Sequence, residues 1–269
     1  MTYNLAQPTG FLSQYVKHYW SLDKRMPTGK AHLQKIVPNG LFELIIYFGD
    51  KPEVAAPQKV VSDNMVITGQ LHGHHELKVT GHLSLFAIYF LPHGLSRFLA
   101  LPMHELVNQS VPLRYILTDT VDQLEDELAS ATTFEKRIQV AERFLIGRLQ
   151  RNDPTYQHDR IRQAVHLINQ SKGRMPIEEV AARLFLSRKQ FERTFAAGIG
   201  TSPKQFIKIV RFQHAIYEKS QQPALRLTAL AHRCGYFDQS HMINDFKTLS
   251  GITPKSYFNS EEPFSDYFG

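Results

Sequence analysis

Cysteine is almost missing from this chain: Cys234 stands alone among 269 residues. One thiol forms no disulfide within the chain and builds no multi-cysteine zinc site, and such usage predicts a reducing, cytoplasmic setting. Long apolar runs are missing as well. None approaches the roughly 20 residues that cross a bilayer as a helix, so no membrane partner is expected. The opening MTYNLAQPTGFLSQYV lacks the positive start and unbroken apolar stretch of a secretory signal. No Ser/His/Asp arrangement, phosphate-cradling glycine loop or paired-carboxylate pattern stands out, so neither a catalytic residue nor a cofactor is expected.

What is present is ordinary in amount and uneven in placement. Hydrophobic residues make up 42% and charged ones 21%, the balance of a soluble globular protein, and the length allows two domains with separate cores. The net charge of +6 lies entirely in one half. Residues 1–154 hold 15 Lys+Arg against 15 Asp+Glu, while residues 155–269 hold 16 against 10. A basic half joined to a neutral one predicts that one half meets a polyanion and the other does not.

Within the basic half one passage is written twice. IEEVAARLFLSRKQFERTFAAGIGTSPKQF runs from Ile177 to Phe206, and LTALAHRCGYFDQSHMINDFKTLSGITPKSY from Leu227 to Tyr257. Ala181 matches Ala231, Phe195 matches Phe246, Gly200 matches Gly251, Pro203 matches Pro254 and Phe206 matches Tyr257. The offset grows from 50 to 51 between the first pair and the later ones, so one residue was gained in a turn. Two short copies make no solenoid; they fit a compact helical unit such as a helix-turn-helix.

The pattern upstream is different. Phe42–Phe48, Met65–Thr68, Glu76–Thr80 and Leu83–Leu91 are rich in strand formers and separated by Gly69, Gly73 and Gly81,. From Val121 the spacing turns helical, with Leu124 and Leu128 on one face of a first helix and Ile138, Ala141, Phe144, Leu145 and Leu149 on one face of a second,. The polar cluster Arg151-Asn152-Asp153-Pro154 reads as a boundary,. The expected organisation is therefore α+β: a small β-rich body followed by helices over residues 1–151, then an all-α domain over 157–260 with two helix-turn-helix motifs. Ser187 should cap the first reading helix, Asp238 or Ser240 should start the second, and Pro203 should open a long helix between the copies.

A helix-turn-helix braces one helix behind another so that the second enters a major groove. Val180, Ala181 and Leu184 are spaced to brace the first copy, Leu186 to fill its turn, and Phe191 and Phe195 to anchor its reading helix. Arg188, Lys189, Gln190, Glu192 and Arg193 then point outward, side chains suited to base edges and phosphates. Arg193 could grip a guanine; Glu192 could accept from cytosine or orient Arg193. In the second copy Leu230, Ala231 and Cys234 brace, Gly235 permits the turn, and Tyr236 fills it. Gln239, Ser240, His241 or Met242, and Asn244 face outward, with Lys247 toward the backbone. The second copy is the less cationic, and the first is expected to do most of the gripping.

These residues resemble the DNA-binding domain of the AraC/XylS family of bacterial transcription regulators, over roughly Asp159 to Phe258. The carriers are the paired motifs, the linking helix with Arg211, and CGYFDQSHMINDFKTLSGITPKSY. Many members have arginine where this chain has Asn244, a residue that can still pair with adenine. VPNGLFELIIYFGD, the strand ending in FLPHGLSRFL and the acidic helix after Leu117 are similar to the cupin-like sensory domain of some members, which implies a small β-barrel with helices and a sensing or dimerisation role for residues 1–151. The resemblance implies double-stranded DNA as partner, with RNA polymerase, a small-molecule effector and a second copy of the chain as further partners.

Other clusters are weighed more plainly. His72, His74, His75 and His82 could offer two imidazoles to a metal, but Glu76 comes too early for a cupin ligand set and Gly73 interrupts the strand alternation. A surface loop or a pH-responsive polar cluster is the better expectation, and no metal is assigned. Cys234 sits where the first copy has Leu184, which predicts packing. Tyr15, Tyr19 and Trp20 are expected in the core. The rivals are a cupin-type metal-dependent enzyme with a fused DNA-binding regulatory domain, and an N-terminal domain that only dimerises.

Overall fold

The computed structural model describes residues 1–54, 63–151 and 156–260. The N-terminal half carries strands β1 (Thr2–Ala6), β2 (Val16–Arg25), β3 (His32–Ile36), β4 (Phe42–Tyr47), β5 (Glu53–Val54), β6 (Met65–Thr68), β7 (His75–Val79), β8 (His82–Phe90) and β9 (Ser110–Pro112). They form a six-stranded sheet in the order β1-β2-β8-β4-β6-β9 and a three-stranded sheet in the order β3-β7-β5. Every pairing is antiparallel.

Period-two alternation sorts the large sheet into two faces. Phe42, Leu44 and Ile46 of β4 join Phe86, Ile88 and Phe90 of β8 in the main N-terminal core. Helices α1 (Val121–Ser130) and α2 (Phe134–Arg151) close that core with Leu124, Leu128, Ala141 and Leu145, the spacing read from the sequence. The opposite face puts Tyr47, Val66, Leu85 and Ala87 against Val79 of the small sheet. Among the described residues no ladder joins the two sheets. The expected barrel is thus an open pair of sheets, held by side-chain packing, with β5 only two residues long. Tyr15 and Tyr19 lie in the main core as expected, whereas Trp20 packs on the opposite face.

The C-terminal half is helical: α3 (Tyr156–Gln170), α4 (Ile177–Arg183), α5 (Arg188–Ile199), α6 (Pro203–Gln221), α7 (Leu227–Arg233), α8 (Gln239–Ser250) and α9 (Pro254–Phe258). Asn152, Asp153 and Pro154 of the expected boundary lie outside the described residues. Each copy of the repeat has its own core. One gathers Val180, Ala181, Leu184, Phe191 and Phe195 against α3. The other gathers Leu230, Ala231, Cys234, Met242 and Phe246 with Phe212 and Ile216 of α6. Helix α6 belongs to both, and Lys208 reaches Asp245 of α8 at 3.1 Å.

The two halves dock on one another. Val37, from the N-terminal half, is fully buried in the core of the second copy. Gln213 of α6 donates from Nε2 to the Pro38 carbonyl at 2.7 Å. Gly40 lies so close that a β-carbon there would meet the Phe206 ring at 3.1 Å.

Candidate nucleic-acid interface

Caps fix where each reading helix begins. In the first copy Ser187 accepts from the Gln190 backbone, and the Gln190 side chain accepts from the Ser187 N–H at 3.1 Å, a reciprocal box that satisfies two orphan donors,. In the second copy the start is set by Asp238, whose carboxylate accepts from the His241 N–H at 2.7 Å. Both reading helices end on a left-handed glycine, Gly200 and Gly251,.

The turns differ by the extra residue seen in the sequence. After α7, Gly235 takes φ +75°, and after α4 the matching position is Phe185 at φ +55°. A side chain with a β-carbon is strained there, and Phe185 gains little in exchange, being 89% exposed. Leu186 and Tyr236 then fill the two turns, half-buried and buried respectively.

Of the residues expected to read DNA on α5, Arg188, Lys189, Gln190 and Arg193 are exposed and Glu192 is half-buried. Their circumstances are unequal. Arg188 is held by Glu192 at 3.0 Å and by Glu178 of α4 at 2.5 Å. The hydrogen bond to Glu192 and the neighbouring charges of Glu178 and Glu192 raise its pKa further. Glu192 therefore orients Arg188, where the sequence suggested Arg193. Gln190 is engaged in the cap. Lys189 and Arg193 are the α5 cations held in no ion pair among the described residues.

On α8, Ser240, Asn244 and Lys247 are exposed, while Gln239 and His241 are half-buried. Gln239 accepts from Thr228 of the bracing helix at 2.7 Å. The choice between His241 and Met242 is settled by burial, since Met242 is wholly enclosed. The His241 ring stands edge-on to Tyr236, 5.3 Å between centroids. Cys234 is buried and its thiol is pushed up to about 12, chiefly by that burial; it packs, as its place in the bracing helix implied.

No local pattern announced what covers the far ends of the reading helices. His72 bonds Thr201, just past α5, at 2.8 Å. The 3-10 turn Met103–Leu106 lies against Gly200, and the His74 ring against Gly251. These two histidines lie in the loop before β7, as expected, His72 half-buried and His74 exposed; the loop also touches the DNA-binding half, and partial burial lowers both pKa values. His75 is also turned inward and is pushed down to about 4 by burial first and by His74 second. His82 stands apart, 3.0 Å from Asp23. Among the described residues no group of three His, Cys, Asp or Glu side chains is gathered for a metal. Among the described residues, these contacts of the N-terminal half fall at the C-terminal ends of the two reading helices.

Arg211, noted in the linking helix, is structural here: its guanidinium donates to the Gly173 carbonyl at 2.7 Å, fastening the end of α3 to α6.

Two capped reading helices, each braced by its own short helix and sharing one long linker, define a double helix-turn-helix module. Residues 180–260 match a family profile described as "Helix-turn-helix domain". Residues 4–112 match a profile described as "Domain of unknown function (DUF6597)". A transcriptional regulator of the helix-turn-helix type from Haemophilus influenzae is 33% identical over 98 residues, 36% of this chain and 32% of that protein. The match therefore spans about a third of that curated relative. Among solved structures, ToxT from Vibrio cholerae O395 superposes with a TM-score of 0.47 at 9% identity, covering 89% of this chain and 96% of that one. A DNA-binding transcriptional dual regulator from Escherichia coli K-12 gives 0.34 at 21% identity, covering 39% of this chain and 95% of that one.

Proposed function

We propose that the chain is a sequence-specific DNA-binding transcription regulator whose two reading helices enter successive major grooves on one face of the duplex. The observation that carries this reading is the pair of exposed, capped helix N-termini held on a single rigid helix. Helix α6 has 19 residues and so spans about 28 Å, a length suited to grooves one helical turn, about 34 Å, apart. The first copy supplies the stronger grip through Lys189 and Arg193, with Arg188 steered by Glu178 and Glu192. The second, through Ser240, His241, Asn244 and Lys247, reads with fewer cations.

The neutral half, residues 1–151, acts as sensing and dimerisation domain, and the basic half, 157–260, as the DNA-binding domain. A small effector, a second copy of the chain and RNA polymerase are the remaining partners, and the setting is the cytoplasm. Binding of the full chain to its own promoter region, followed by fluorescence anisotropy against salt, tests the reading. Log affinity should fall linearly with log salt at about −0.9 per phosphate neutralised. Absence of salt-sensitive binding would sink it.

A further inference from the structure

A second site lies on the sheet face turned away from α1 and α2. The register places Tyr89 of β8 directly opposite Glu43 of β4, and Trp20 of β2 opposite Ala87, two residues before Tyr89 on the same face. Ala87 is small, so the indole of Trp20 crosses above it and donates from Nε1 to Glu43 Oε1 at 2.8 Å. The Tyr89 hydroxyl also bonds Glu43, and its ring lies nearly parallel to Trp20, 15° between planes and 6.3 Å between centroids. Tyr3 of β1 adds a third ring at 6.1 Å from Trp20, and is exposed.

This carboxylate has neutral donors and no cation: among the described residues no Lys, Arg or His forms an ion pair with it. Taking a lone carboxylate out of water costs several kcal/mol unless an opposite charge joins it. Burial accordingly pushes the Glu43 carboxyl up to about 7, against the pull of the bonds from Trp20 and Tyr89. Glu43, Trp20 and Tyr89 are nonetheless only half-buried, so the cluster is open to solvent on one side. An unpaired carboxylate flanked by aromatic faces is the combination that attracts an organic cation, by charge and by the ring quadrupoles together.

The same cluster touches the DNA-binding half through one loop. Asn39 bonds the Tyr89 hydroxyl, and its Oδ1 accepts from the Leu41 N–H at 3.0 Å. One residue before Asn39, the Pro38 carbonyl accepts from Gln213 of α6; one residue after, Gly40 rests on Phe206 and Ile209. Glu43 and the helix that joins the two reading helices are therefore linked through Tyr89, Asn39 and the loop 37–41.

We propose that Glu43, Trp20, Tyr89 and Tyr3 form a binding site for an organic cation, an amine or quaternary ammonium group, and that its occupancy reaches α6 through Tyr89 and the loop 37–41. The site rests on the regulator reading for its purpose, since it names the chemistry of the effector. Trp20 is the chain's single tryptophan, so its emission reports the site directly.

The full chain is titrated with benzyltrimethylammonium and, separately, with neopentylbenzene, the uncharged isostere. Saturable change in Trp20 emission with the cation only is expected. Glu43→Gln, which keeps the shape, should weaken binding at least about tenfold with melting no lower than wild type. Tyr89→Phe should still bind the cation, because the ring and the charge remain. In anisotropy with promoter DNA, the cation should shift the affinity of the wild type and not that of Tyr89→Phe.

Equal response to neopentylbenzene, or unchanged binding in Glu43→Gln, overturns the site. A DNA shift that persists in Tyr89→Phe overturns the route. A chain that binds promoter DNA and never the cation defeats this inference alone. One that binds the cation and no DNA upholds the site while defeating the regulator reading.

Discussion

Replacing Phe185 by glycine should stabilise this protein, although it removes a large apolar side chain. Phe185 holds φ +55° in the turn before α5, a conformation that costs a residue with a β-carbon about 1–2 kcal/mol. Glycine removes that strain and adds about 0.5–1 kcal/mol of backbone entropy to be lost on folding. The ring offers little to set against this, because it is 89% exposed. The balance is a gain of about 0.5–1 kcal/mol, which for a chain of this size raises the melting temperature by about 1–4 °C. Phe185→Ala is the control, since it deletes the ring and keeps the strain.

Thermal unfolding of the three proteins, followed by circular dichroism, decides the matter. The expected order has Phe185→Gly above both wild type and Phe185→Ala. Copy two supplies the mirror test: Gly235 already occupies the position at φ +75°, and a β-carbon there would also meet Arg174 at 2.5 Å. Gly235→Ala should therefore destabilise. If Phe185→Gly melts no higher than Phe185→Ala, backbone strain does not govern this turn and the reasoning fails.

Three further outcomes follow from the same geometry. Arg193→Ala should weaken operator binding by about 1–3 kcal/mol if it makes a bidentate base contact, whereas Glu192→Gln, which removes a partner of Arg188, should strengthen binding to any sequence; anisotropy on operator and random DNA separates the two effects. Gly40→Ala places a β-carbon in a left-handed backbone and 3.1 Å from Phe206, and should lower stability by about 1–2 kcal/mol, visible in urea unfolding of the full chain. Acid should destabilise the fold between about pH 6.5 and 4. His18, His75, His93 and His214 are each pushed down to about 4, by burial first, from an ordinary value of 6.5. The unfolded chain therefore takes up their protons first and stability falls as pH falls through that window. Glu43, raised to about 7, acts in the opposite direction but is one group against four. Melting temperatures that rise on acidification across this window would contradict the assignment.

Much of the C-terminal half was legible because its determinants are local. Ser187 and Gln190 sit three residues apart and make their own cap, and the i, i+4 pair Phe191 and Phe195 names the buried face of its helix. The duplication then checks each inference against its counterpart. Strands β4, β6, β7 and β8 were legible for the same reason, since alternation at Phe42, Leu44 and Ile46 is a local pattern; β1, β2, β3, β5 and β9 were not delimited from the sequence. Closure of the sheets was not legible either, because whether two sheets share a ladder depends on partners far apart in the chain.

Most of the unread parts are long-range, although the turn of Arg188 toward Glu192 is only four residues long. Gln213 and Pro38 are 175 residues apart, and nothing near either announces the bond. His72 and His74 are loop residues, as read, but their partners Thr201 and Gly251 lie more than a hundred positions downstream. Arg188 looked as free as Arg193 until α4 brought Glu178 beside it. Trp20 and Glu43 meet only because β2 and β4 both pair with β8 in one register, which places Ala87 between them.

The most direct test is hydroxyl-radical footprinting of the full chain on its own promoter region. Two protected windows about 10 bp apart on one face of the duplex are expected, with the window read by α8 lost before that read by α5 as salt is raised. A single protected window, or two on opposite faces, would contradict the proposal that α6 holds two reading helices in successive major grooves.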